Sequence, residues 1–275
     1  MANHPIPAYL GRQLGDQYPS LQETIKNTLT EDTLQQLAKQ LTKQFHTTIS
    51  RQDTLNLLTL HQLTQPILHT LYHQNSQNNI TRLLETWDNQ LQPLIQENPE
   101  LADRITQFQN LAEKATTPEA RQNLLRDFLE NLIKTGYRRQ QEKLGVVYTP
   151  TQIVDWIEHA VDQLYYQNFG QHIGDRNIRI LDPFTGTGTF ITRLLTNGII
   201  PPENLPYKFT QDIHSMEIMP ISYYLHLLSI ENEHTALTGN TQSYTGGQLC
   251  DTFTHQCQTK PQVIVSNPPL FRGPA

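Results

Sequence analysis

Two periodicities divide the chain. From Leu21 to about Gly136, apolar residues recur three and four apart, the spacing of one helix face, and nothing alternates in the manner of a strand. Leu34, Leu37, Leu41 and Phe45 make one such stripe; Leu55, Leu58, Leu63 and Leu68 supply others. Pro66 and Pro93 are expected to kink or end helices, since proline has no amide hydrogen to donate. Thr117-Pro118-Glu119 spells a helix start, with a capping hydroxyl, proline at the first position and an acid near the positive end. The helix that follows should bury Leu124, Phe128, Leu132 and Ile133 and stop at Gly136. Residues 1–19, with Pro5, Pro7, Gly11, Gly15 and Pro19, read as an irregular lead-in.

After Gly136 the pattern changes. A helix is predicted from Thr151 to about Tyr166, capped by Thr149 with Pro150 in its first turn, and turning Ile153, Ile157, Val161 and Leu164 inward. A strand at 179–181 enters a glycine turn, and a helix leaves through Thr189, Ile191, Leu194 and Leu195 to end near Asn197-Gly198. Residues 206–210 read as a loop or short turn. Ser215–Met219 reads as the next strand, Ile221–Glu231 as a buried helix, residues 248–253 as a weak strand and Val263–Val265 as a buried one. Strand and helix alternate, which implies a parallel sheet with crossover helices. The chain is therefore expected to hold a helical domain over 1–136 and an α/β domain over 137–275.

Composition narrows the function classes. Hydrophobic residues make up 36% and charged residues only 17%, so polarity comes from Gln, Asn and Thr and the core should be uneven. A net charge of −6 argues against binding nucleic acid by surface charge alone, while leaving room for a local basic groove. Tyr137-Arg138-Arg139-Gln140-Gln141-Glu142-Lys143 reads first as a solvated helix end, and second as a contact for DNA phosphates. Cys250 and Cys257 are too few for a disulfide framework or a zinc cluster, so no metal is expected. His69 and His73 sit four apart but lack a third ligand in the pattern. Met1–Tyr9 carries no apolar signal-type core, and no run approaches the ~18 apolar residues of a membrane span; a cytoplasmic setting follows, with no membrane partner.

The candidate chemistry sits at strand ends. Asp182, Pro183, Phe184, Gly186 and Gly188 form the turn after the first strand, and Thr189-Phe190 opens its helix. In open α/β sheets such a turn receives a nucleoside-bearing ligand, with glycines letting the backbone approach it. Glu217 ends the second strand and suits a ribose; Asp251 ends the third and Asn267 the fourth. Glu217 lies about 30 residues past the turn, longer than dinucleotide spacing. No complete Gly-x-Gly-x-x-Gly and no Gly-Lys-Ser/Thr occurs, so dinucleotide and ATP phosphate cradles lack support. In Asn267-Pro268-Pro269 an amide is followed by a backbone carbonyl held between prolines, a rigid acceptor pair for an exocyclic amine.

These residues, in this order, resemble the S-adenosylmethionine-dependent amino-methyltransferases of DNA that carry an Asn-Pro-Pro-aromatic signature. More narrowly, from Leu144 onward the chain is similar to the methylase region of single-chain type ISP and type IIG restriction-modification enzymes. The resemblance rests on 145–150, 181–190, Asn204-Leu205 through Glu217-Ile218, Tyr223-Tyr224, Ile230-Glu231, Asp251-Thr252-Phe253 and 265–269. The helical half resembles the connecting helices of those proteins. The resemblance implies a Rossmann-like methyltransferase parallel sheet, incomplete, preceded by an all-α domain. It implies S-adenosyl-L-methionine as cofactor, with Tyr148, Thr149 and Pro150 at the methionine end. Asp182 through the glycine turn would line its centre, with Glu217 at the ribose and Asp251 at the adenine. Asn267 and Pro268, backed by Pro269 and Leu270, would grip the amine of an adenine flipped out of double-stranded DNA. Leu270 stands where the family has an aromatic ring that stacks on the base. The chain is further expected to be a fragment that needs a second polypeptide for target recognition, with the Val263–Val265 strand open on one side. The competing expectation is a non-catalytic remnant that binds S-adenosylmethionine or a protein partner.

Overall fold

Gly11, Gly15 and Pro19, which the sequence pattern assigns to an irregular lead-in, lie inside the first helix of the computed structural model. It describes residues 6–72, 78–137, 149–255, 257 and 259–269, with 118 and 119 in backbone only. Helix α1 spans Ile6–Thr28, and α7 spans Pro118–Gly136. The two glycines are there for contact rather than for turning. A Cβ at Gly11 would lie 2.5 Å from the Phe128 carbonyl oxygen, and one at Gly15 would lie 2.6 Å from Thr135 Cβ. Spaced four apart, they share one face of α1 and let the two backbones close up. Pro19 removes one donor from the helix without ending it.

Between them run α2 (Glu31–Phe45), α3 (Arg51–Tyr72), α4 (Asn79–Glu85), α5 (Asp88–Gln96) and α6 (Pro99–Ala112). Four starts are capped as the side chains dictate. Thr30, Asn78, Asn98 and Thr117 each accept the N–H three residues on, satisfying a donor the helix itself cannot. The stripe Leu34, Leu37, Leu41 and Phe45 is buried. Pro66 and Pro93, expected to kink or end helices, lie within α3 and α5 and end neither. On α7, Phe128, Leu132 and Ile133 are buried as expected, but Leu125 and Leu129 are buried where Leu124 was anticipated. Tyr18 and Tyr137 close this unit, their rings edge-on at 4.5 Å and both hydroxyls donating to the Asn56 carbonyl.

The chain divides into two compact units, Met1–Leu144 and Gly145–Ala275. The second is an α/β fold. Helix α8 (Thr151–Phe169) leads to β1 (Ile180–Asp182), α9 (Thr189–Thr196), β2 (Ile213–Glu217), α10 (Pro220–Thr238), β3 (Gly247–Leu249) and β4 (Val263–Ile264). The four strands run parallel in the order β3-β2-β1-β4. A parallel sheet brings every strand's carboxyl end to one rim, so the loops after β1, β2, β3 and β4 become neighbours.

Residues 205–212 form a helical turn, Leu205–Tyr207, that widens into a π-type turn, Lys208–Asp212, where the pattern suggests loop or short turn. Lys208 is fully buried there, its ammonium donating to the carbonyls of Ile173, Asp175 and Ile178. Helix α10 is buried almost all round, including His226, Glu231 and His234. Three expected burials fail. Ile153 and Leu164 of α8 are 49% and 59% exposed, and Ile264 of β4 is 62% exposed between buried Val263 and Val265. The inner face of α8 is instead Thr151, Val154 and Glu158. Among the described residues no helix is long and apolar enough to cross a membrane.

Candidate functional site

The glycine turn after β1 is fixed by backbone geometry first. Gly186 and Gly188 both take positive φ, +57° and +90°, a region that costs a side chain free energy. A Cβ at Gly188 would also sit 3.2 Å from His226 Cβ, so α10 packs directly beneath the turn. Gly188 caps α9, and Thr189 and Phe190 are its first residues, with Phe190 buried.

Asp182 ends β1 and is 1% exposed. Its Oδ1 accepts from the Phe184 N–H at 3.1 Å and from the Ser266 hydroxyl at 2.6 Å, whereas buried Oδ2 has no partner among the described residues. Burial pushes this carboxyl up to about 7, against the pull of the Ser266 and Phe184 hydrogen bonds. Glu217 ends β2, two residues beyond the position paired with Asp182. Its Oε2 accepts from the Gly186 N–H at 2.9 Å and its Oε1 from the Met219 N–H at 2.7 Å. Burial raises it also to about 7, opposed by those N–H groups. The acid at the second strand end thus holds the glycine turn of the first.

The third and fourth strand ends join the same rim. The Cys250 N–H donates to the Glu217 carbonyl at 2.8 Å, which places Asp251 beside β2. Asp251 Oδ1 accepts from the Phe253 N–H at 2.9 Å, a local turn that sends the Phe253 ring to within 5.5 Å of Phe184. The Thr252 hydroxyl donates to the Pro183 carbonyl. After β4, Ser266 reaches Asp182 and the Asn267 amide Nδ2 donates to Thr149 Oγ1 at 3.0 Å. Thr149 therefore does not cap α8 as expected: Pro150 occupies the cap position and makes no side-chain cap bond. Pro268 is exposed and Pro269 half-buried.

Of the residues the sequence singles out, Thr149, Asp182, Pro183, Phe184, Gly186, Glu217, Asp251 and Asn267 thus belong to one hydrogen-bonded and ring-contact network. Tyr148, Leu270, Arg138, Arg139 and His73 lie outside the described residues. Ser266, Thr252 and Phe253 carry contacts that the sequence reading gave no role. Their signal was position alone, each one or two residues from a residue already singled out. Among the described residues no three His, Cys, Asp or Glu side chains gather as a metal site would require.

No protein-family model and no curated protein matches the chain. Solved structures do. The DrdV–DNA complex matches with a TM-score of 0.69 at 24% identity, over 91% of this chain and 26% of that one. The ATP-dependent type ISP restriction-modification enzyme LlaBIII, bound to DNA, matches at 0.65 and 26% identity, over 95% of this chain and 19% of that one. A nuclease-deletion mutant of the type ISP enzyme LlaGI, in complex with a DNA substrate mimic, matches at 0.61 and 23%, over 91% and 22%. The chain spans 19–26% of the length of these structures, and both of its halves fall within the match.

Proposed function

We propose that the chain is the connecting-helix and cofactor-binding part of a restriction-modification enzyme, and that its second unit serves methylation of an adenine amine in double-stranded DNA. The observation that carries this is the double tie of the Asn-Pro-Pro loop: Ser266 to Asp182 and Asn267 to Thr149. Residues of the amine-binding motif and of the cofactor motifs are thereby held a hydrogen bond apart, as transfer between bound groups requires. The fold likeness to DNA-bound type ISP enzymes supports the same reading. Recognition of the target sequence would fall to a second polypeptide or a further region.

The residues present fit S-adenosyl-L-methionine. Among the described residues nothing lies within 4 Å of where a Cβ at Gly186 would stand, leaving room for close approach over the turn. Glu217 retains acceptor capacity for two ribose hydroxyls beyond the two N–H groups it already holds. The Phe184 and Phe253 rings offer apolar faces to a purine, and Asp182 Oδ2 is a buried acceptor awaiting a donor or a cation. When bound, this cofactor supplies an electrophilic methyl on a sulfonium.

The chain's own task is positioning. The Asn267 side-chain carbonyl and the Pro268 backbone carbonyl accept the two hydrogens of the target amine, which turns its lone pair toward the methyl. The amine is buried in a stacked duplex, so the base must leave the helix first. No nucleophilic side chain is needed, and neither cysteine lies within a motif. The test is calorimetry with S-adenosyl-L-methionine, followed by radiolabelled methyl transfer to adenine-containing duplexes with and without a target-recognition polypeptide. Binding that E217A abolishes is expected. A chain that stays unliganded at millimolar cofactor refutes the reading.

A further inference from the structure

Two consecutive residues, Ser266 and Asn267, are each tied to a different part of the cofactor rim. The Thr149 contact spans 118 residues of sequence, and it engages a hydroxyl that the helix beside it leaves unused. An asparagine amide has two ends of nearly equal size and opposite hydrogen-bonding sense. Turned one way it offers its carbonyl to an amine; turned the other it opposes donor to donor.

We propose that Thr149 and Ser266 are positioning residues for the Asn267 amide. The Thr149 hydroxyl, by accepting from Nδ2, pins the plane of the Asn267 amide at that end and leaves Oδ1, the other end of the same plane, as the acceptor for the target amine. Ser266 fixes the backbone of the same step by its bond to Asp182. This rests on the reading of Asn267 as the group that accepts the amine's hydrogens. Neither residue touches the reacting atoms in this scheme; both act through Asn267.

The test observes the side-chain amide of Asn267 by NMR in the full chain labelled with 15N-asparagine, the signal being assigned by its loss in N267D. T149V keeps the shape of threonine and removes the hydroxyl, while T149S restores it. In ligand-free T149V the Asn267 amide signals should move, and their hydrogen exchange should quicken by about tenfold, the loss expected for one hydrogen bond. T149S should keep the parent behaviour. S266A should move the same signals without T149V's gain in exchange. With S-adenosylhomocysteine saturating the cofactor side, 9-methyladenine should shift the Asn267 signals in the parent and T149S, and require about tenfold more ligand in T149V. Identical Asn267 signals in T149V and the parent overturn the proposal, as does T149S behaving like T149V. The two readings fail separately: a chain that binds no S-adenosylhomocysteine sinks the methyltransferase assignment, while the ligand-free signals still decide the role of Thr149.

Discussion

Replacing Asp182 by asparagine should change how stability depends on pH, in a direction set by burial. The carboxyl's ordinary value is 3.8 and in the fold it stands at about 7, the buried position outweighing the Ser266 and Phe184 hydrogen bonds. A carboxyl raised on folding binds its proton more tightly in the native chain than in the unfolded one. Between about pH 4 and 7 the native state therefore holds more protons, and stability falls as pH rises. Some three pKa units at 1.36 kcal/mol each give about 4 kcal/mol as the full span. Over pH 5 to 7 the fall should be roughly 2 kcal/mol, flattening above pH 8. D182N has no such ionisation. Its stability relative to the parent should rise by that same amount from pH 5 to pH 8, whatever constant offset the new amide introduces at Oδ2. Urea denaturation followed by far-ultraviolet circular dichroism at pH 5, 6, 7 and 8 measures the difference. Glu217 is raised mainly by its own burial, and the Asp182 charge is the smallest of the causes that act on it, so its contribution changes little between the two proteins. A parent-minus-variant difference that stays flat within about 0.5 kcal/mol would refute the claim that Asp182 is buried and under-paired.

Three further outcomes follow from close contacts. G188A should cost at least ~1–2 kcal/mol, because it combines a φ of +90° with a Cβ 3.2 Å from His226; G186A, with φ +57° and no described atom near its Cβ, should cost about 1 kcal/mol. Equal costs in thermal melts would contradict this. G11A should destabilise the helical unit by about 1–3 kcal/mol despite alanine's better helix propensity, since the clash at 2.5 Å is with a backbone carbonyl that cannot swing aside; an unchanged melting temperature would count against the close α1–α7 packing. K208M should cost about 3–5 kcal/mol by stranding three carbonyls and the Asp212 carboxylate, and a loss below 1 kcal/mol in urea would show the cage to be dispensable.

The site was more legible in the sequence than the packing around it. Glycines at 186 and 188, acids at 182, 217 and 251, and the Asn267 turn announce themselves because turn chemistry and strand ends are local, and a parallel sheet then gathers strand ends without further instruction. Glycines 11 and 15 carry the same letter and mean the opposite. They sit mid-helix because another backbone lies against them, a fact stored in α7, over a hundred residues away. The cross-links within the site were equally unreadable: nothing near Thr149 says that its hydroxyl answers to Asn267 rather than to its own helix.

Helix α8 shows why hydrophobic spacing misled there, and the reason bears on the site. Three of its acids, Asp155, Glu158 and Asp162, are spaced three and four apart along one side, and of these Glu158 is buried. Asp155 takes both Arg193 Nε and Nη2, at 2.7 and 2.9 Å, in the forked geometry that fixes both side chains. Glu158, raised well above its usual range by burial, accepts from Asn197 at 2.6 Å, and Asp162 accepts from the Ile173 N–H and pairs with His172. Both Arg193 and Asn197 belong to α9 or its end, and α9 begins at Gly188. Asp155 and Glu158 therefore tie α8 to the later part of α9 and its end. Apolar residues could bury the same area, but they would let α8 slide; directional bonds do not. Thr149, which meets Asn267 at 3.0 Å, lies just before α8, and the helix is held by this directional kind of contact as well as by buried Val154.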